Sequence, residues 1–317
     1  MNRILCIGEA LIDMICTDKG TALSEGEHFL KKAGGAPTNV AAAIAALGGK
    51  ASLTAKVGQD PFGKHLIQVM KEFGVHTDHV FESSNHFTTF AFVSLMENGE
   101  RDFYFNRGAD GELTWEEVDA IPLDEIQTLH FGSATAFLPG PLQTCYKKLL
   151  HKGKATQRFI SFDPNYRHLL FKEGSREFTE QSWHFLTHCD FFKVSDEEAS
   201  LLTGEADPVK AAGIFLQKTP AVFCITLGKE GTLLGMGNEL MQIPSITVTP
   251  VDTTGAGDAF VGAVLFQLSR LQTDTLRSLG KEQWAAIITN ANKAGARTCE
   301  YMGAMEAFKH LSNAIFQ

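Results

Sequence analysis

The chain has 317 residues, 44% of them hydrophobic and 21% charged, with 28 Lys and Arg against 37 Asp and Glu for a net charge of −9. That acidic balance, without a long basic run, argues against a nucleic-acid footprint, and the apolar share argues against a disordered chain. The length suits one large α/β domain or two ordinary ones.

The first segment, RILCIG at residues 3–8, is a short apolar run ending in Gly and predicts a buried strand. Glu9 and Asp13 interrupt the apolar run before a signal peptide or an 18-residue span can develop, which predicts a cytoplasmic chain with no membrane partner. In GGAPTNVAAAIAALGG, Gly34 and Gly35 open a turn, Pro37 suits a first helical turn, and Gly48 and Gly49 stop an Ala-rich helix. A strand over Ser52–Val57 and an amphipathic helix over Pro61–Gly74 follow, the latter with apolar Phe62, Leu66, Val69, Met70 and Phe73.

Between Thr88 and Phe105 the pattern changes to two β-rich runs around Asn98–Gly99, a hairpin signal that interrupts the α/β rhythm. The alternation resumes at Thr128, with strands at TLHFGSA, RFISFDPN, DFFKVS and AVFCITLG. The helices between them are expected near Gly140–His151, Glu177–Leu186 and Asp196–Leu202. Strands separated by helices require right-handed crossovers and a parallel sheet. A second β-rich stretch, GTLLGMGNELMQIPSITV, precedes a TTGAGD turn, a helix over Gly257–Arg270 and further helical sequence. The six cysteines lie scattered with no CxxC pair and read as reduced, packed thiols.

The sharpest feature is Asp252-Thr253-Thr254-Gly255-Ala256-Gly257-Asp258, set between a strand-like and a helical run. With almost no side chains at Gly255, Ala256 and Gly257, successive backbone N–H groups at a helix start can close on an anion. Asp258, in the first turn, can take a proton from an attacking hydroxyl while those N–H groups hold charge on a transferring phosphoryl group. No Gly-Lys-Ser/Thr follows, so this is not a Walker loop. Nor does a GxGxxG follow the first strand, where Gly8-Glu9-Ala10 stands, which argues against a dinucleotide-binding dehydrogenase.

The string VDTTGAGDAF resembles the signature of the ribokinase-like, PfkB-type carbohydrate kinases, and the other stations of that family occur in order from Gly8 to Gly303. The resemblance implies a three-layer α/β/α domain over 1–317 with a mainly parallel central sheet. It also implies a small β-sheet lid from segments about 14–33 and 88–107. Asp258 would be the base, and Gly255, Ala256 and Gly257 would hold the developing charge. Gly8-Glu9-Ala10-Leu11-Ile12-Asp13 resembles the opening strand whose final Asp bonds sugar hydroxyls, and GGAPTNVA resembles the sugar-binding signature; together they place Asp13, Gly34, Gly35 and Asn39 at the sugar. DPNYR resembles a segment of fructokinases and 2-keto-3-deoxygluconate kinases and adds Asn165 and Arg167, with Arg107 as a candidate on the lid side.

On the nucleotide side, Ser195-Asp196-Glu197-Glu198 stands where the family has NxxE, with Ser195 in place of the usual Asn. Glu198 would orient water around Mg²⁺. Thr226, Gly228 and Gly231 resemble the turn beside the ATP phosphates, and Asn292 falls at the expected adenine pocket. Asp252 and Thr254 are the candidates for a K⁺ loop, although Met305 replaces the Pro that often follows Gly303-Ala304. The resemblance thus points to ATP, Mg²⁺ and K⁺, with fructose the first choice of substrate. Ribose, nucleosides and 2-keto-3-deoxygluconate stay open, the keto-acid disfavoured because Phe105 stands where its kinases commonly carry Tyr. A non-catalytic sugar sensor on the same fold, and a homodimer through lid residues such as Phe90, Phe92, Phe103 and Phe105, also stay open.

Overall fold

Ile4 and Cys6 pack into one apolar cluster, and Leu5 and Ile7 into a second. A strand buried on both faces divides its residues in this period-two manner, and it makes β1 (Arg3–Ile7) the middle layer of three. The computed structural model describes residues 1–96, 101–171 and 174–316.

In chain order β1 is followed by β2 (Leu11–Cys16), β3 (Phe29–Gly34), α1 (Ala36–Ala46), β4 (Lys50–Gly58), α2 (Pro61–Phe73), β5 (His76–Ser83), β6 (Thr89–Leu95) and β7 (Arg101–Asn106). Next come α3 (Trp115–Asp119), β8 (Ile126–Phe131), α4 (Pro141–Ala155), β9 (Phe159–Phe162), α5 (Arg176–Leu186), β10 (Phe191–Ser195), α6 (Asp196–Thr203) and α7 (Pro208–Lys218). The chain closes with β11 (Val222–Thr226), β12 (Thr232–Met236), β13 (Glu239–Ile243), α8 (Ala256–Ser269), α9 (Lys281–Thr298) and α10 (Ala304–Phe308).

The central sheet has nine strands in the order β13-β12-β11-β10-β9-β8-β1-β4-β5. It is parallel from β11 to β5, and at one edge β12 is reversed, pairing antiparallel with both β11 and β13. The chain leaves β1 towards β4 on one side and later fills β8 on the other. That reversal opens a crevice at the carboxyl ends of β1 and β8, the usual ligand position in such sheets. A second sheet, β3-β2-β6-β7, is built from the two segments expected to leave the α/β rhythm. β6 and β7 pair antiparallel from Phe90↔Asn106 to Leu95↔Arg101, while the Asn98–Gly99 turn lies outside the described residues.

Three elements differ from the sequence expectation. β5 lies at the sheet edge with a polar sequence, HTDHVFES, that carries no apolar run. α3 and α7 are short helices; in α7 Asp207 caps the first turn by accepting from the N–H groups of Val209 and Lys210. Phe90 and Phe92 serve packing inside the molecule: Phe90 meets Phe62 of α2 edge-on, and Phe92 meets Phe29 of the same small sheet in the same way. Among the described residues no helix is long and apolar enough to cross a membrane, and all six cysteines are free thiols.

Candidate active site

The site begins where α1 and α8 cross. A Cβ on Gly262 would lie 2.7 Å from Ala43 Cβ, so small residues bring the two helices into near-contact. Their amino-terminal turns thereby converge, and Asn39 Nδ2 donates a 2.9 Å hydrogen bond to Asp258 Oδ2. Gly255 caps α8 with φ 83°, and a Cβ there would run into Ala304, so both backbone conformation and space require glycine. Ala256 N–H turns back to Thr253 O at 3.2 Å. Of the three N–H groups expected to hold anionic charge, that of Ala256 is therefore shared with the turn, between Gly255 at the cap and Gly257 in the first helical turn.

Asp258 is buried, and burial pushes its carboxyl above the ordinary range. The Asn39 hydrogen bond and the positive charges of Arg167 and Lys193 oppose that rise, while Glu198 adds to it. Lys193, in β10, forms a buried ion pair with Asp163 at 3.1 Å. Burial works against its ammonium, but Asp163, Glu198 and Asp258 together hold its pKa above the usual value.

Asp13, on β2, leans over Gly34, where any Cβ would collide with its carboxylate. Burial raises Asp13 to about 6, with Arg167 pulling the other way. Arg167 thus acts electrostatically on both Asp13 and Asp258. Gly35 has φ 106°, and a Cβ there would strike the Glu9 backbone carbonyl. Asn165, at φ 48°, donates from Nδ2 to Gly132 O at 2.9 Å, so its amide ties the loop after β9 to the loop after β8. Arg107 is engaged elsewhere. It donates to Pro139 O at 2.6 Å and Thr135 O at 3.2 Å and pairs with Asp110 at 3.6 Å, and it shares no hydrogen-bond or ion-pair partner with Arg167 among the described residues.

Glu198 is held from two sides, accepting from Tyr166 N–H at Oε1 and from Ser195 N–H at Oε2, both at 2.8 Å. The Ser195 hydroxyl returns the bond by accepting from Glu198 N–H, a capping box that starts α6. Thr226 and Gly228 sit at the end of β11, and Gly231 has φ 94° where a Cβ would collide with Ile243 O. Asn292 accepts from Thr232 Oγ1 at 2.7 Å and donates to Ile243 O and Pro244 O, so its amide fastens α9 to the sheet edge. Asp252 accepts from Thr254 N–H and Oγ1 through Oδ1 and from Gly303 N–H through Oδ2, joining two loops beside the start of α8.

Three buried charged groups here were given no role from sequence: Lys193, Asp163 and Glu9. Glu9 accepts from Ala36 N–H at 2.9 Å and Ala134 N–H at 3.4 Å at the end of β1, and burial raises it to about 7. A lysine inside the strand-like FFKVS is itself a signal, because a buried ammonium requires acidic partners.

The pattern of pfkB family carbohydrate kinases matches residues 1–310. The chain belongs to this family. Fructokinase-1 of Zea mays is 35% identical to this carbohydrate kinase over 308 residues, covering 95% of this chain and 93% of its own. A fructokinase of Xylella fastidiosa with bound ATP superposes with a TM-score of 0.87 at 28% identity, covering 99% of this chain and 96% of its own. A double mutant of Vibrio cholerae fructokinase bound to fructose, ADP and potassium superposes at 0.83 with 29% identity, covering 100% and 97%. This carbohydrate kinase therefore shares both its fold and the span of its chain with enzymes that act on sugars.

Proposed function

We propose that this carbohydrate kinase transfers the γ-phosphoryl group of MgATP to a primary hydroxyl of fructose, giving fructose 6-phosphate. The observation that carries the chemistry is the buried Asp258, held by Asn39 in the first turn of α8 beside the Gly255–Gly257 turn. In the step, Asp258 takes the hydroxyl proton, the sugar oxygen bonds to phosphorus, and the phosphorus–oxygen bond to the leaving ADP breaks. N–H groups at the start of α8 receive the charge on the phosphoryl oxygens.

The sugar is assigned to Asp13, Gly34, Gly35, Asn39, Asn165 and Arg167. Asn39 Oδ1 is buried and has no hydrogen-bond partner among the described residues, which suits a sugar hydroxyl donating to it. The small sheet carries Asp13 and would close as a lid that keeps water from the phosphoryl group. For fructose over a keto-acid, the supporting observation is that Arg107 is tied to backbone carbonyls and so is not poised with Arg167 to clamp a carboxylate.

The nucleotide is assigned to Ser195, Thr226, Gly228, Gly231 and the Asn292 region. Glu198 fits a magnesium site of the water-mediated kind: its carboxylate is oriented from two sides, and no group of three or more ligating side chains that could cage a metal occurs among the described residues. Magnesium when bound would neutralise phosphate charge. The Asp252–Thr254–Gly303 junction is the proposed location of potassium dependence. The small sheet also exposes Ile15, Leu30, Leu95 and Tyr104, to which we assign the homodimer.

Coupled ADP release with MgATP against fructose, 2-keto-3-deoxygluconate, ribose, glucose and adenosine, with and without potassium, tests the reading. The highest kcat/KM is expected for fructose. A keto-acid preference would overturn the choice of sugar, and sugar binding without turnover would replace the kinase with a sensor.

A further inference from the structure

Lys193 occupies an interior position of the central sheet, 6% exposed, where a charged side chain needs a reason. Phe192 and Val194 point into one apolar cluster and Phe191 into the other, so Lys193 projects to the Phe191 side, where α8 packs. Its ammonium donates to Asp163 Oδ2 at 3.1 Å, which takes one of three donors. A Cβ placed on Gly257 would be 3.2 Å from Nζ, so the absence of a side chain at Gly257 leaves the ammonium facing the anion-holding turn. Asp163, Glu198 and Asp258 all act on it electrostatically, three carboxylates around one buried cation.

A purely structural pair is a poor account of this arrangement. Two buried charges are usually no more stabilising than an apolar pair of the same volume, and partnering Asp163 would not require the ammonium to border Gly257. We infer that Lys193 is a catalytic residue whose ammonium contacts the transferring phosphoryl oxygens at the first turn of α8, with Asp163 as the residue that positions it. The inference rests on the reading that phosphoryl transfer occurs at that turn. Lys193 keeps its proton throughout; the hydroxyl proton goes to Asp258, and ADP leaves with the electrons of the broken phosphorus–oxygen bond.

This role separates ATP from ADP, because only ATP carries the γ-phosphoryl group. The test measures ATP and ADP affinity by titration calorimetry, and steady-state kinetics, for the wild type, K193M, K193R and the double variant K193M/D163N. In K193M, ATP affinity should fall at least tenfold more than ADP affinity, as loss of a charge-assisted hydrogen bond implies. kcat should fall about 100-fold with sugar KM within about threefold, and K193R should recover at least about tenfold of kcat. The double variant removes the ion pair as a unit and carries the same comparison should K193M unfold with a stranded carboxylate. Equal weakening of ATP and ADP, or an unchanged kcat, would overturn the inference. A wild type without sugar-dependent turnover would overturn the kinase reading instead, and the ATP-to-ADP ratio would still decide on Lys193.

Discussion

Asn39 and Asp258 are 219 positions apart in the chain, yet Asn39 Nδ2 lies 2.9 Å from Asp258 Oδ2. The contact exists because α1 and α8 approach through Ala43 and Gly262, and it ties the residue proposed to meet the sugar to the proposed base. An amide donating to a carboxylate favours its ionised form, while burial favours the neutral one.

Removing the proposed base while keeping its shape should therefore separate chemistry from folding. Asp258→Asn should lower kcat by about two or more powers of ten while ATP affinity and the urea midpoint change little. Single-turnover product formation against ATP titration is the measurement, and near-normal turnover would remove Asp258 from the base role.

The hydrogen bond itself is tested by Asn39→Asp. A second carboxylate at that distance raises the pKa of Asp258 further, since like charges disfavour joint ionisation. Asp258 must be ionised to accept a proton, so the acid limb of the kcat–pH profile should move to higher pH by about one unit or more. Burial already holds Asp258 above the ordinary carboxylate range in the wild type, so the wild-type limb is expected above that range as well.

Glu9 gives a pH dependence of stability. Burial raises it from its ordinary value of 4.5 to about 7. Below the lower value both folded and unfolded chains are protonated. Between the two the unfolded chain ionises first, so the folded state loses about 1.4 kcal/mol per pH unit, about 3 kcal/mol in all. Above about 7 the loss is complete. Glu9→Gln does not ionise, so its Tm relative to the wild type should be more favourable at pH 8 than at pH 5. A pH-independent difference would show that Glu9 ionises without cost.

Gly262→Ala probes the helix crossing. The new Cβ meets Ala43 Cβ at 2.7 Å, so the helices must part at a cost of about 1–3 kcal/mol. Urea denaturation should show that loss, and kcat should fall with it because Asn39 and Asp258 ride on the two helices. Lost stability with unchanged kcat would uncouple the crossing from the base.

Much of this was legible in the chain. The TTGAGD turn, the Ala-rich α1 and the strand–helix alternation follow from local sequence because Gly, Pro and apolar spacing act within a few residues. β5 was missed because an edge strand buries too little to need an apolar run, and α7 because its signal, Asp207 before Pro208, was small beside the strand that follows. Side-chain destinations were harder to read. Arg107 is the lid-side candidate of the sequence, yet its guanidinium is drawn to the Pro139 and Thr135 carbonyls, and Asn292 turns inward to the sheet edge. Those partners lie about 30 or more positions away, beyond any local pattern.

The double grip on Glu198 changes what a substitution there can reveal. Its two oxygens receive the N–H groups of Tyr166 and Ser195, one following β9 and the other ending β10, so a single carboxylate staples neighbouring strand ends together. A glutamine keeps only one oxygen and must turn its NH₂ towards one of the two donors. Glu198→Gln thus opens a strand end at the same moment as it removes a charge from the side proposed for the phosphates, and lost activity in that variant would report on architecture as much as on magnesium.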